Sequence, residues 1–279
     1  MLPQLGVVNS TLSLGVDYKR YQLVSYNTNN FYVTIVITNS AGQPVPINQT
    51  VSTGQKPVYN TLVYLPINVG WSGSIPDPIG TTFFNVQANF NKAGVLSDDA
   101  DFGRTAYSTN ARAGYITVQM GSDRVQTVYQ DWSVKLHADG QWANGALISN
   151  EQYAMGGSAS VRGYQDGLDY GDTGWRCTIE PQTPLFKLGM VGNEGHLEPC
   201  WVRGSVFMDY GQLYRFDDTP GLPGNLGNLR TLDFWGTGFG ITANIGSHLD
   251  GRVSVAWPLI SHPLESDSVR VYFGIGAQF

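Results

Sequence analysis

Apolar and polar residues alternate along most of this chain with a period of two, the pattern of extended strands that carry one apolar and one polar face. Between positions 269 and 279, Val269, Val271, Phe273, Ile275, Ala277 and Phe279 share one face, opposite Arg270, Tyr272, Gly274, Gly276 and Gln278. In the segment before it, Leu249, Val253, Val255, Trp257 and Leu259 oppose Asp250, Arg252, Ser254 and Ala256. Trp235, Phe239, Ile241, Ala243 and Ile245 alternate with Gly236, Gly238, Gly240, Thr242 and Asn244. The same order places Leu12, Leu14, Val16 and Tyr18 against Ser13, Gly15, Asp17 and Lys19, and Phe84, Val86, Ala88 and Phe90 against Asn85, Gln87 and Asn89. Trp132, Val134 and Leu136 oppose Ser133, Lys135 and His137.

Roughly eleven or twelve such segments can be counted, several about 10–14 residues long. A soluble β-sandwich would show the same alternation with its apolar face turned inward. Length separates the two, because a tilted strand crossing a membrane needs about 9–11 residues whereas strands of globular sheets average about 5–6. The expected fold is therefore all-β, an antiparallel transmembrane barrel. Turn-rich linkers at 27–30, 40–56, 73–80, 97–103 and 217–229 differ in length, as short periplasmic turns and longer extracellular loops do. The longest stretch without alternation is 147–174.

Composition narrows the function classes. Only 14% of the residues are charged, while glycine numbers 34 and aromatic residues reach 12%, a mixture suited to strands, turns and aromatic interfacial belts. No run approaches the ~20 apolar residues of a membrane-spanning helix, and the mean hydropathy is −0.16. The formal charge of −6 opposes nucleic-acid binding, which needs a basic face to displace counterions from phosphate. His137, His196, His248 and His262 are scattered and form no metal-ligand spacing. Gly236, Gly238 and Gly240 imitate half of a dinucleotide fingerprint, but at period two within a strand they are small lumen residues that admit a neighbouring segment. The first ten residues, MLPQLGVVNS, lack the charged and apolar regions of a signal peptide; the expectation is that an amino-terminal part is missing or that Met1 is an internal start.

Residues 147–174 hold Val161-Arg162-Gly163-Tyr164, preceded by Gly156-Gly157 and followed by Gly171-Asp172-Thr173-Gly174. Phe207-Met208-Asp209 lies on the next strand but one, where Ser205, Phe207, Asp209 and Gly211 share a face opposite Val206, Met208 and Tyr210. This combination resembles the outer-membrane polypeptide transporters, the superfamily of the two-partner-secretion (haemolysin activation and secretion) proteins and the barrel-assembly protein. The resemblance covers the chain from about Thr11 onward and is most specific after Asn150.

The resemblance implies a loop folded back into the pore, with Arg162 paired to Asp209 and a second inward acid at Glu180. An arginine in a partly dehydrated interior needs a fixed carboxylate partner. It implies a sixteen-stranded barrel of which this chain is the C-terminal portion and therefore incomplete, with periplasmic polypeptide-transport-associated domains absent from residues 1–279. Tyr272, Gly274 and Phe279 match in part the terminal signal read by the barrel-assembly machinery. The implied partners are a secreted polypeptide, outer-membrane lipid and that machinery; no cofactor, catalytic chemistry or nucleic acid enters. Insertion of other barrels is the rival role within the superfamily, and a soluble or cell-surface binding module the rival outside it.

If Glu180 and Asp209 face inward, Cys177 and Cys200 face outward on consecutive strands whose midpoint falls near Gly189. They either oppose each other and form a disulfide in the oxidising periplasm or remain free thiols.

Overall fold

The computed structural model describes residues 8–38, 44–105, 110–193, 196–216, 231–246, 248–265 and 268–278. Fifteen strand segments make up nearly all of its regular structure: β1 (Asn9–Val16), β2 (Lys19–Thr38), β3 (Pro44–Tyr64), β4 (Ile67–Asp77), β5 (Gly80–Phe90), β6 (Ile116–Tyr129), β7 (Trp132–Ala143), β8 (Tyr153–Met155), β9 (Asp169–Gly171), β10 (Thr173–Gln182), β11 (Phe186–Asn193), β12 (His196–Tyr214), β13 (Thr231–Ile245), β14 (Leu249–Pro258) and β15 (Arg270–Ala277). One short helix, α1 (Asp99–Thr105), and a 3₁₀ turn at Ser149–Glu151 complete the set. Among the described residues no helix is long and apolar enough to cross a membrane.

An eleven-stranded antiparallel sheet runs in the order β1-β4-β5-β6-β7-β10-β12-β13-β14-β15, with β11 also paired to β12. Several segments are continuations of one another. The pairing of Val16 with Ile67 resumes unshifted as Lys19 with Tyr64. At the break, where Pro66 has no N–H to give, Asp17 N–H still reaches the Pro66 carbonyl at 2.9 Å. β10 and β11 likewise follow one another along β12, separated by Thr183, Pro184 and Leu185.

Several linker expectations are corrected by this pairing. Residues 27–30 lie within β2, where the ladder only shifts register between Asn27 and Asn29, and most of 40–56 belongs to β3. Asn, Gly and Pro lower strand propensity, but that preference is weak beside a long cross-strand ladder. Residues 73–77 complete β4, 97–103 mostly enter α1, and 217–229 lie outside the described residues.

β7 shows how the alternation becomes a membrane wall. Trp132, Leu136 and Trp142 are exposed on one face, while Ser133 and Gln141 are buried on the other, with Lys135, His137 and Asp139 between them. The two tryptophans are about ten residues apart, roughly 33 Å along the strand, which a ~45° tilt converts to about 23 Å, close to the ~25 Å apolar band of an outer-membrane barrel. The exposed residues of β15 tell the same story: Phe273 and Ile275 are 81% and 79% accessible. Large apolar side chains thus point away from the polypeptide, as lipid contact requires.

The connections sort by length. β4 and β5 are joined at 78–79, β6 and β7 at Gln130-Asp131, both with positive φ (43° and 66°) as a type I′ hairpin turn demands. At the opposite rim the strands are joined by residues 91–115, 144–172 and 259–269. Among the described residues β1 and β15 end the sheet, each bonded to one neighbour, and the barrel is not closed.

Among the described residues, conventional cores form at the long-loop rim and around the loop itself. Leu62, Tyr64, Phe102, Ala111, Ala113, Tyr115, Ala143, Leu147 and Ile148 pack together. Met155, Val161 and Tyr164 of the loop pack on Leu213, Leu232 and Phe234 of the wall. Each fully buried Val, Met or Leu contributes about 1.5–3 kcal/mol, so the loop is held by apolar packing as well as by charge.

Candidate functional site

Residues 147–172 leave the rim and turn back against the inner face of the sheet. At the root, the Asp172 carboxylate accepts Leu147 N–H (2.9 Å), the Gln152 amide (3.0 Å) and Phe216 N–H (2.9 Å). β8 and β9 then form a short ladder, Tyr153 with Gly171 and Met155 with Asp169. Arg215 pairs with Asp169 and donates to the Tyr170 carbonyl at 2.9 Å, and His262 Nε2 lies 3.3 Å from Asp169. Burial works to raise the Asp169 carboxyl, but the close approach of the His262 ring and the Arg215 charge outweigh it and hold the group below the usual carboxylate range.

The tip carries the arginine. Arg162 Nε and Nη2 donate to the two oxygens of Asp209 at 2.7 and 2.8 Å, and the Arg162 backbone N–H adds a third bond to Asp209 at 3.0 Å. Nη1 reaches Glu180 at 2.8 Å, and the guanidinium lies 3.3 Å from the centre of the Phe207 ring. Asp209 is wholly buried, and Arg162 and Glu180 are each 14% exposed in their side chains. One cation thus satisfies two carboxylates and stacks on an aromatic face, an arrangement open to arginine and not to lysine. The face assignment of β12 holds, with Phe207 and Asp209 buried and Val206 and Met208 exposed.

Glycines make the approach possible. Gly163 has φ +103°, and a β carbon there would lie 2.7 Å from Pro258 N. A β carbon on Gly236 would collide with the Arg162 carbonyl, and one on Gly211 would lie 2.6 Å from Met155 Sδ. Tyr164 is buried; its hydroxyl accepts Trp235 N–H (3.1 Å) and donates to the Ile260 carbonyl (2.6 Å), with Phe234 edge-on at 5.1 Å.

Two groups escaped the sequence reading. Arg176, on the inward face of β10, donates to Asp139 and to the Ala159 carbonyl, while Asp139 also takes the Tyr153 hydroxyl and His137 Nε2 (2.6 Å). The period-two pattern that brings Glu180 inward puts Arg176 there too, and His137 and Asp139 share the inner face of β7. Tyr272, expected to serve an assembly signal, accepts Gly163 N–H at 3.0 Å and donates to the Tyr164 carbonyl at 2.7 Å. Gly274 lines a cavity of about 660 Å³ beside the loop tip, with Lys135, Arg162, Arg176 and Arg252 among its walls. Phe279 lies outside the described residues.

The proposed pairing of Cys177 with Cys200 is corrected: both thiols are free. The chain does not reverse at Gly189, which lies inside β11 opposite Cys200; the last pairs of that hairpin are Gly192 with Leu197 and Asn193 with His196. Cys177 therefore faces Tyr210, about ten residues or roughly 33 Å along β12 from Cys200, far beyond the ~4.4–6.8 Å Cα separation of a disulfide.

Among the described residues no group of His, Cys, Asp and Glu is arranged to hold a metal ion. What the arrangement can do is fasten the loop to the inner face of the sheet through one cation and two carboxylates.

Comparison with known proteins gives three findings. A family model described as the Omp85 superfamily domain matches residues 6–279. The outer membrane transporter CdiB of Escherichia coli is 30% identical over 150 residues, 53% of this chain and 22% of that protein; CdiB of Dickeya dadantii is 31% identical over 144 residues, 50% of this chain and 22% of that protein. The solved structure of CdiB from Escherichia coli superposes with a TM-score of 0.59 at 16% identity, covering 97% of this chain and 50% of its own; CdiB from Acinetobacter baumannii gives 0.52 at 16% identity, covering 95% and 47%. The chain spans about half the length of these solved structures.

Proposed function

The chain belongs to the Omp85 superfamily of outer-membrane β-barrels, and from that premise we propose that it forms the loop-bearing wall of a pore that exports a secreted partner polypeptide by two-partner secretion. The observation that carries this reading is the loop seated in the concave side of the sheet, with Arg162 held by Asp209 and Glu180. A loop in that position occupies the path of a polypeptide, and a polar wall that includes Lys135, His137, Arg176 and Arg252 offers a passing chain no greasy surface on which to stick.

Export on this reading is passive. The outer membrane holds no nucleotide, so direction comes from folding of the cargo outside; no metal or covalent intermediate takes part. The exposed apolar face contacts outer-membrane lipid, and insertion is the work of the barrel-assembly machinery. The names of the CdiB relatives support a transport role over barrel insertion.

The test is replacement of Arg162 by Ala in the transporter, co-expressed with its partner. Secretion is expected to be lost while the barrel still fractionates with the outer membrane and keeps heat-modifiable gel mobility. Undiminished secretion would remove Arg162 from the mechanism.

A further inference from the structure

The loop touches two walls that are not neighbours in the sheet. Arg162 binds β10 and β12 through Glu180 and Asp209. A residue later the chain is gripped from β15: the Tyr272 hydroxyl takes the N–H of Gly163 and gives its proton to the carbonyl of Tyr164. The Gln165 N–H donates to Glu265 at 3.0 Å, and Glu265 in turn pairs with Arg270 at the head of β15. Since β13 and β14 separate β12 from β15, the loop forms a brace across the concave side of a curved sheet.

Among the described residues β15 ends the sheet and pairs with β14, from Leu249–Ala277 to Ala256–Arg270. Its outward residues, Val271, Phe273 and Ile275, are all exposed. Tyr272 faces inward, and both of its hydroxyl bonds go to loop backbone. The hydroxyl is donor to one peptide group and acceptor from another, which fixes the ring's position along the loop as well as its distance.

We propose that Tyr272 is a positioning residue that couples the inward loop to the terminal strand β15, so that releasing the loop from Asp209 loosens β15 and loosening β15 releases the loop. Reciprocity is required of any such coupling, because both ends share one free energy. The inference rests on the export reading for its significance, since there the loop is the moving part of the pore. Its test reads amide exchange, which can fail while export stands.

The experiment is hydrogen exchange followed by mass spectrometry on the detergent-solubilised barrel, comparing residues 158–166 with 269–278. Tyr272→Phe keeps the ring and removes the two bonds; exchange in both segments should rise about fivefold to tenfold, the effect of losing on the order of one net hydrogen bond. Asp209→Asn, with Tyr272 untouched, should speed 269–278 as well as 158–166. Acceleration confined to one segment in either variant, or none in Tyr272→Phe with heat-modifiable mobility intact, overturns the proposal. Should Tyr272→Phe fail to assemble, the Asp209→Asn comparison decides alone.

Discussion

The carbonyl oxygen of Arg162 occupies the space in which a β carbon of residue 236 would sit, so the loop can dock only because that position is Gly236. Gly236 and its neighbours at 238 and 240 are buried along the inward face of β13, and Gly238 likewise lies beside Phe207. Their value is the room they leave.

Gly236→Val should therefore expel the loop tip while leaving the strand intact, because valine suits an extended backbone. Overpacking of this kind costs about 1–3 kcal/mol, enough to make the loop protease-sensitive in outer-membrane preparations. A loop as resistant as the parent's would contradict the packing account.

Arg162→Lys should behave like Arg162→Ala. An ammonium cannot span both Asp209 oxygens and reach Glu180, and Asp209 is left buried without its partner, at a cost of about 3–5 kcal/mol of loop docking. Glu180→Gln retains an acceptor for Nη1 and should cost about 1 kcal/mol. Comparing protease resistance of the loop in the three variants checks the order; equal effects from Arg162→Lys and Glu180→Gln would contradict it.

The Asp169 pairing predicts an acid limit. Its folded-state carboxyl titrates below the usual range, so its contribution is present above the unfolded pKa of about 3.9 and fades as the pH falls through the lower folded value. Parent and Asp169→Asn should differ in loop protection between pH 5 and 8, on the order of 1–3 kcal/mol, with the difference beginning to shrink below about pH 4 and vanishing once the pH has fallen through the folded value. A difference that persists unchanged below that pH would reverse the assignment.

Oxidation with copper phenanthroline should leave Cys177 and Cys200 unlinked within a chain, and both should take up maleimide in detergent. A shift to faster migration on a non-reducing gel, abolished by Cys177→Ser, would show the register of β10, β11 and β12 to be wrong.

The residues behind these predictions were unequally legible in the sequence. Faces could be read wherever alternation is clean: β7 and β15 show it, and so does Asp209, because period two fixes sidedness. Register could not, since a slip by two residues preserves every face. That is why the Cys177–Cys200 pairing failed while both residues were placed outward. The run through Thr183, Pro184 and Leu185 looks like a turn and is an interruption in a strand that continues through β11. Tyr272 was visible as an inward polar residue, but which loop atoms it meets depends on the path of residues 156–168, where alternation is silent. Arg162 with Asp209 was reached through family resemblance, and Glu180 with it; Arg176 with Asp139 carried no such signature.

The central claim is that a loop fastened by Arg162 and Asp209 works inside an export pore. The most direct measurement is secreted partner per inserted barrel for Arg162→Ala, Asp209→Ala and the double variant in the transporter. The account predicts that each single change abolishes secretion and that the double is no worse, because the two residues act as one unit. Parental secretion from either single variant, with normal insertion, would contradict it.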